Sequence, residues 1–237
     1  LTLLHGVLDS PDIPLNVSRS YLQSDAQVKK ISNHIAKKVA DRLDELFRNE
    51  RDLFESKWDS LKVFVQYGML SDEKFYDRAV KFDLLTDVAG KHFTLEEYRT
   101  LTESEQTDKD GSLIWLYASD RDAQYAAIAR AESKGYSILL MDGPLDVHAI
   151  SQLEQKLEKT RFVRVDSDTI DKLIAKSEVK AVELSEDEQS ALRAIFSARL
   201  PKEEKRNYSV SLEALGADGD AVQVTQGEFM RRMQEMA

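Results

Sequence analysis

The feature that most restricts how this 237-residue chain can fold is a change of hydrophobic period partway along it. From Asp25, apolar residues recur three and four positions apart at Val28, Ile31, Ile35, Val39, Leu43, Leu46 and Phe47, the spacing that gathers side chains on one face of an α-helix. A second helix is predicted from about Arg51, with Leu53, Phe54, Trp58, Leu61 and Val65 inward. A third is predicted over 73–82, with Phe75, Tyr76, Ala79 and Val80 inward. Near Phe93 the pattern gives way to short apolar runs alternating with helical stretches. Thr94 and Glu97 form a capping-box pair that opens one helix. Strands are predicted over 113–118, 137–141 and 161–165, with helices over 122–134 and 146–157 between them. Parallel strands need crossover connections, so this alternation confines the segment to a small, mostly parallel sheet covered by helices. The expected class is α/β, α+β overall: a helical connector over 25–86, a small α/β/α layered unit over 87–176, and the start of a further α+β unit over 177–237.

The flanks suggest a piece of something longer. The apolar run 3–8 reads as a strand that wants partners earlier in the chain, and the helix opening near Gly227 has no glycine or proline terminator. Between them, the acidic stretch 178–188 reads as a linker, followed by a helix over 186–200 and a strand pair over 208–215 and 221–225.

Composition removes several functions. With 33 basic and 43 acidic residues the net charge is −10, and no compact run of Lys and Arg interrupts it, so nucleic acid is not an expected partner. No apolar stretch approaches the ~18 residues of a membrane span, and no charged n-region precedes an apolar one, so a soluble, cytoplasmic chain is expected. The absence of cysteine excludes disulfides, thiolate nucleophiles and cysteine-held metals. His5, His34, His92 and His148 are scattered, and no metal site is expected. Neither a phosphate-binding glycine loop nor a nucleophile elbow occurs, so the chain alone is not expected to be an enzyme.

The sharpest local pattern runs from Asp9 through Ser10, Pro11, Asp12, Ile13, Pro14, Leu15, Asn16, Val17, Ser18 and Arg19 to Gln23. Two prolines stiffen a loop that ends at a helix start, which sets Arg19 and Gln23 one turn apart. From the residues alone two readings stand: a capping serine beside a surface arginine, or an arginine presenting its planar fork to a carboxylate or phosphate.

This stretch, with Gly6, Val7 and Leu8 before it, resembles the signature of the 90-kilodalton heat-shock chaperones. The resemblance extends through the helix after Asp25, the Phe54 and Trp58 spacing, and the run from Ile114 through Ala127, and the bacterial branch is the closer fit. Ser20 and Tyr21 depart from the family pattern. The resemblance implies that 1–24 ends a large middle subdomain carrying the catalytic loop. Arg19, helped by Asn16 and Gln23, would reach the γ-phosphate of ATP, held with Mg by a separate N-terminal domain, while this chain holds no cofactor. It also implies unfolded or partly folded client proteins as partners, a full-length homodimer, and a monomer for this piece.

Two client-binding patches follow from the same likeness: Asp146, His148 and Ser151, with His148 where the family carries tryptophan, and the apolar stripe Phe229, Met233 and Met236. The alternative is a non-catalytic scaffold that docks protein partners.

Overall fold

The computed structural model describes residues 26–176, 182–201, 208–214, 221–225 and 227. Helix α1 (Ala26–Asn49) turns at Glu50 into α2 (Arg51–Ser71) and then α3 (Glu73–Ala79). Asp72 ends one helix and starts the next, its Oδ1 accepting from Phe75 N at 2.9 Å. Gly68 permits this junction, since a Cβ there would lie 2.7 Å from the Phe75 ring.

Phe54, Trp58 and Phe82 are fully buried between the three helices. Phe54 meets Phe47 at 5.5 Å and 73° and Phe82 at 6.0 Å and 77°, the edge-on geometry that aromatic quadrupoles favour. The predicted stripe of α1 divides: Leu43, Leu46 and Phe47 pack into this core, whereas Ile35 and Val39 are 45% and 41% exposed. Leu53, predicted inward, is 43% exposed because Phe54 and Trp58 define the buried face of α2.

Trp58 is wholly buried, yet its Nε1–H has no acceptor among the described residues. An unsatisfied buried donor costs about 1–3 kcal/mol, so Trp58→Phe, which removes it with part of the ring, should change unfolding free energy by less than about 1 kcal/mol. Trp58→Ala should cost about 3–5 kcal/mol by opening a cavity. Urea unfolding compares the two.

Residues 84–94, which the hydrophobic pattern did not mark as strands, form a hairpin. Strand β1 (Leu84–Thr86) pairs antiparallel with β2 (His92–Thr94). The turn is local chemistry: Asp87 Oδ1 accepts from Ala89 N and Lys91 N, and Gly90 takes φ +86°. Val88 N donates to Ile138 O at 2.9 Å, so the hairpin covers part of the outer edge of the main sheet.

That sheet has three parallel strands, β3 (Leu113–Ala118), β4 (Ile138–Leu140) and β5 (Thr160–Arg164), in the order β4-β3-β5. Helices α4 (Leu95–Gln106), α5 (Tyr125–Ser133) and α6 (Asp146–Lys156) alternate with them. Because β4 and β5 flank β3 on opposite sides, right-handed crossovers put α5 and α6 on opposite faces. One face buries Trp115, Tyr117, Leu139 and Phe162 with Tyr98 of α4 and Ile150 and Leu153 of α6. The other buries Ile114, Leu116 and Ile138 with Ala127, Ile128 and Ala131 of α5. Trp115 is held edge-on by Tyr98 and Phe162, both at 5.2 Å, and its Nε1–H donates to Thr102 Oγ1 at 3.0 Å. The α/β/α layering predicted from the alternation is therefore present.

Three local expectations change. Helix α5 begins at Tyr125, not 122, because Asp120 Oδ1 accepts from Asp122 N and Ala123 N while Gln124 Oε1 accepts from Ser119 N and Asp120 N, holding 119–124 as a turn. A short α7 (Ile170–Leu173) follows β5 unannounced, and α8 (Glu186–Ser197) starts at its Ser185 and Glu188 capping box. Residues 208–214 and 221–225 carry no strand: neither finds a pairing partner among the described residues, and Val224 stays 84% exposed.

Candidate functional site

Of the side chains singled out from the sequence, Asn16, Arg19, Gln23, Phe229, Met233 and Met236 lie outside the described residues. Asp146, His148 and Ser151 lie within them, on the first turns of α6.

Helix α6 opens without a side-chain cap, after a turn at Gly143 and Pro144. Asp146 Oδ2 accepts from Gly143 N at 2.8 Å, and a Cβ at position 143 would fall 3.0 Å from that oxygen. The carboxylate is thereby folded back toward α2, where Lys62 Nζ reaches Oδ2 at 2.8 Å and Gln66 Nε2 reaches Oδ1 at 2.7 Å. Asp146 is 1% exposed, so this carboxylate, expected on a client-facing surface, instead joins two parts of the fold. Ser151 is half-buried and donates its hydroxyl to Val147 O at 3.0 Å. Only His148 of the three presents an exposed side chain.

The seam between α2 and α6 continues as polar contact. Gln152 Nε2 donates to Met69 O at 2.9 Å, and Lys156 Nζ meets Glu73 at 2.7 Å while lying 5.3 Å from the centre of the Tyr76 ring. A narrow groove runs beside these groups, lined by Met69, Asp72, Glu73, Tyr76, Gln152 and Lys156. At the start of α2, Arg51 grips Glu97 through both terminal nitrogens at 2.5 and 2.7 Å. Arg51's hydrogen bonds hold the Glu97 carboxyl down to about 2. Sequence reasoning missed this seam because Lys62, Gln66 and Asp146 become neighbours only once the fold has formed.

Phosphate-cradling loops lead from a strand through glycine into a helix N-terminus. The positive-φ glycines described here, Gly90, Gly111 and Gly135, instead lead into β2, β3 and β4. Among the described residues no group of three or more His, Asp or Glu is placed to hold a metal ion, and no helix is long and apolar enough to cross a membrane.

The family model described as Hsp90 protein matches residues 1–217. Chaperone protein HtpG of Porphyromonas gingivalis is 64% identical over 237 residues, covering 100% of this chain and 35% of that protein. Chaperone protein HtpG of Bacteroides fragilis is 60% identical with the same coverage. The chain thus spans about a third of the length of these relatives. Among solved structures, the middle domain of a Plasmodium falciparum heat shock protein superposes with a TM-score of 0.47 at 13% identity, over 60% of this chain and 58% of that one. Matched by the family model over nearly all of its length, the chain belongs to the Hsp90 protein family, and its likeness is to the bacterial HtpG members.

Proposed function

We propose that this chain is the arginine-donating middle part of an ATP-dependent chaperone that acts on unfolded or partly folded proteins. The observation that carries the proposal is the sequence pattern from Asp9 to Gln23, which falls inside the family-matched residues 1–217. Arg19 supplies a fixed positive charge to the phosphoryl-transfer transition state, with Asn16 and Gln23 positioning it. ATP and its Mg belong to an N-terminal domain of the longer protein. The same reading makes the longer protein a cytoplasmic homodimer. Clients meet His148 and the stripe of Phe229, Met233 and Met236, whose flexible thioethers adapt to varied apolar surfaces. The domain limits follow the same reading: catalytic loop over 1–24, connector over 25–86, layered unit over 87–176 and the start of a C-terminal domain over 177–237.

The test is complementation. An excess of this chain, added to the separately produced N-terminal ATP-binding domain of the same chaperone, should raise ATP turnover, and the Arg19→Ala chain should not. Equal stimulation by both chains would remove Arg19 from the mechanism and favour a docking scaffold.

A further inference from the structure

Aspartate precedes glycine at 110–111, 142–143 and 218–219, the last pair lying outside the described residues. In such a pair the glycine amide nitrogen can reach the aspartate carboxyl, because glycine carries no Cβ to block the approach. The fold treats the two described pairs differently.

Asp110 and Gly111 stand exposed at the tip of the turn that leads into β3. Gly111 takes φ +77°, and nothing lies within 4 Å of the place a Cβ would occupy. Its N–H donates to a neutral acceptor, Asp108 O, at 3.1 Å. Asp142 is exposed as well, but Gly143 N donates at 2.8 Å to Oδ2 of Asp146, a carboxylate only 1% exposed. That oxygen also lies 3.0 Å from the Cβ position of Gly143. An amide held by a buried negative charge gives up its proton less readily than one held by a carbonyl.

We propose that Asp110–Gly111 is a self-modification site, at which the aspartate converts to isoaspartate. The Gly111 nitrogen bonds to Cγ of the protonated Asp110 carboxyl, and the nitrogen's proton leaves with the carboxyl hydroxyl as water, closing a cyclic imide. Water then adds to one of the two imide carbonyls. Breaking the Cγ–N bond restores aspartate, whereas breaking the bond from nitrogen to the main-chain carbonyl carbon leaves the chain running through the Asp110 side chain. One water leaves and one returns, so the mass is unchanged.

The product carries an extra methylene in the main chain between Asp110 N and Gly111 N. Asp108 Oδ1 accepts from Asp110 N at 2.9 Å and from Ser112 N at 2.8 Å, a closure that fixes the length of the turn. The added methylene separates these two donors and loosens the entry to β3.

Ageing the 237-residue chain at neutral pH, followed by proteolysis and enzymatic methylation of isoaspartyl carboxyls, reads each site. Isoaspartate should build up about tenfold faster at 110 than at 142, where reaction waits on opening of the bond to Asp146. In urea the two rates should converge to within about threefold, since the fold no longer separates them. Asp110→Glu should abolish the signal at 110 and leave the slow one at 142. No isoaspartate at 110, or an equal rate at 142 in the folded chain, would overturn the proposal, as would a gap of about tenfold that persists in urea.

Discussion

Replacing Arg19 by Ala in the full-length chaperone is expected to lower ATP turnover by about 10²–10³-fold while ATP affinity stays within about twofold. The asymmetry follows from the proposed role. A side chain that meets the phosphates only as charge develops on them stabilises the transition state and contributes little to ground-state binding. Arg19→Lys should recover only part of the loss, because a lysine offers one point charge where the guanidinium offers a planar fork of donors. Steady-state turnover with a separate equilibrium measurement of ATP binding distinguishes the cases. Unchanged turnover with intact binding would leave the chain as a docking platform. A parallel loss of binding would mean that Arg19 holds the ground state instead.

Asp146→Ala should destabilise the chain by about 3 kcal/mol, measured by urea unfolding near neutral pH. Lys62, only 17% exposed at its side chain, and the buried Gln66 would both lose the acceptor they share. His148→Ala, on the exposed side of the same helix, should shift stability by less than about 0.5 kcal/mol. Near-equal effects at 146 and 148 would mean that the Asp146 carboxylate is not anchored, and would return it to the client-facing surface.

Periodic elements were legible because their causes are local. The stripe of α2 through Phe54, Trp58 and Val65, the Thr94 and Glu97 cap of α4, and the apolar run of β3 each sit within a few residues of what makes them. The hairpin over 84–94 was not legible, since three-residue strands hold too little pattern and owe their stability partly to docking on β4. The late start of α5 depended on Gln124 folding its side chain back onto Ser119 and Asp120, a choice that helix propensity does not encode. For α1, the stripe was read correctly as helical, but its outer half at Ile35 and Val39 lies beyond the reach of the core formed with α2 and α3. At the candidate site, the family resemblance marked Asp146, His148 and Ser151, and only the fold separated the carboxylate turned inward from the imidazole turned outward.

The place of β3 at the centre of its sheet has a consequence for synthesis. All six of its residues, from Leu113 to Ala118, are buried, yet one neighbour arrives with Ile138 and the other only with Thr160. During translation, at about 5–20 residues per second, this apolar ribbon waits several seconds with at least one open edge. Flanking charges at Asp108, Lys109 and Asp110 before it and at Asp120, Arg121 and Asp122 after it oppose pairing with other nascent chains during that interval. A chain that ends between Ser119 and Lys159 would therefore leave β3 without at least one of its two partner strands.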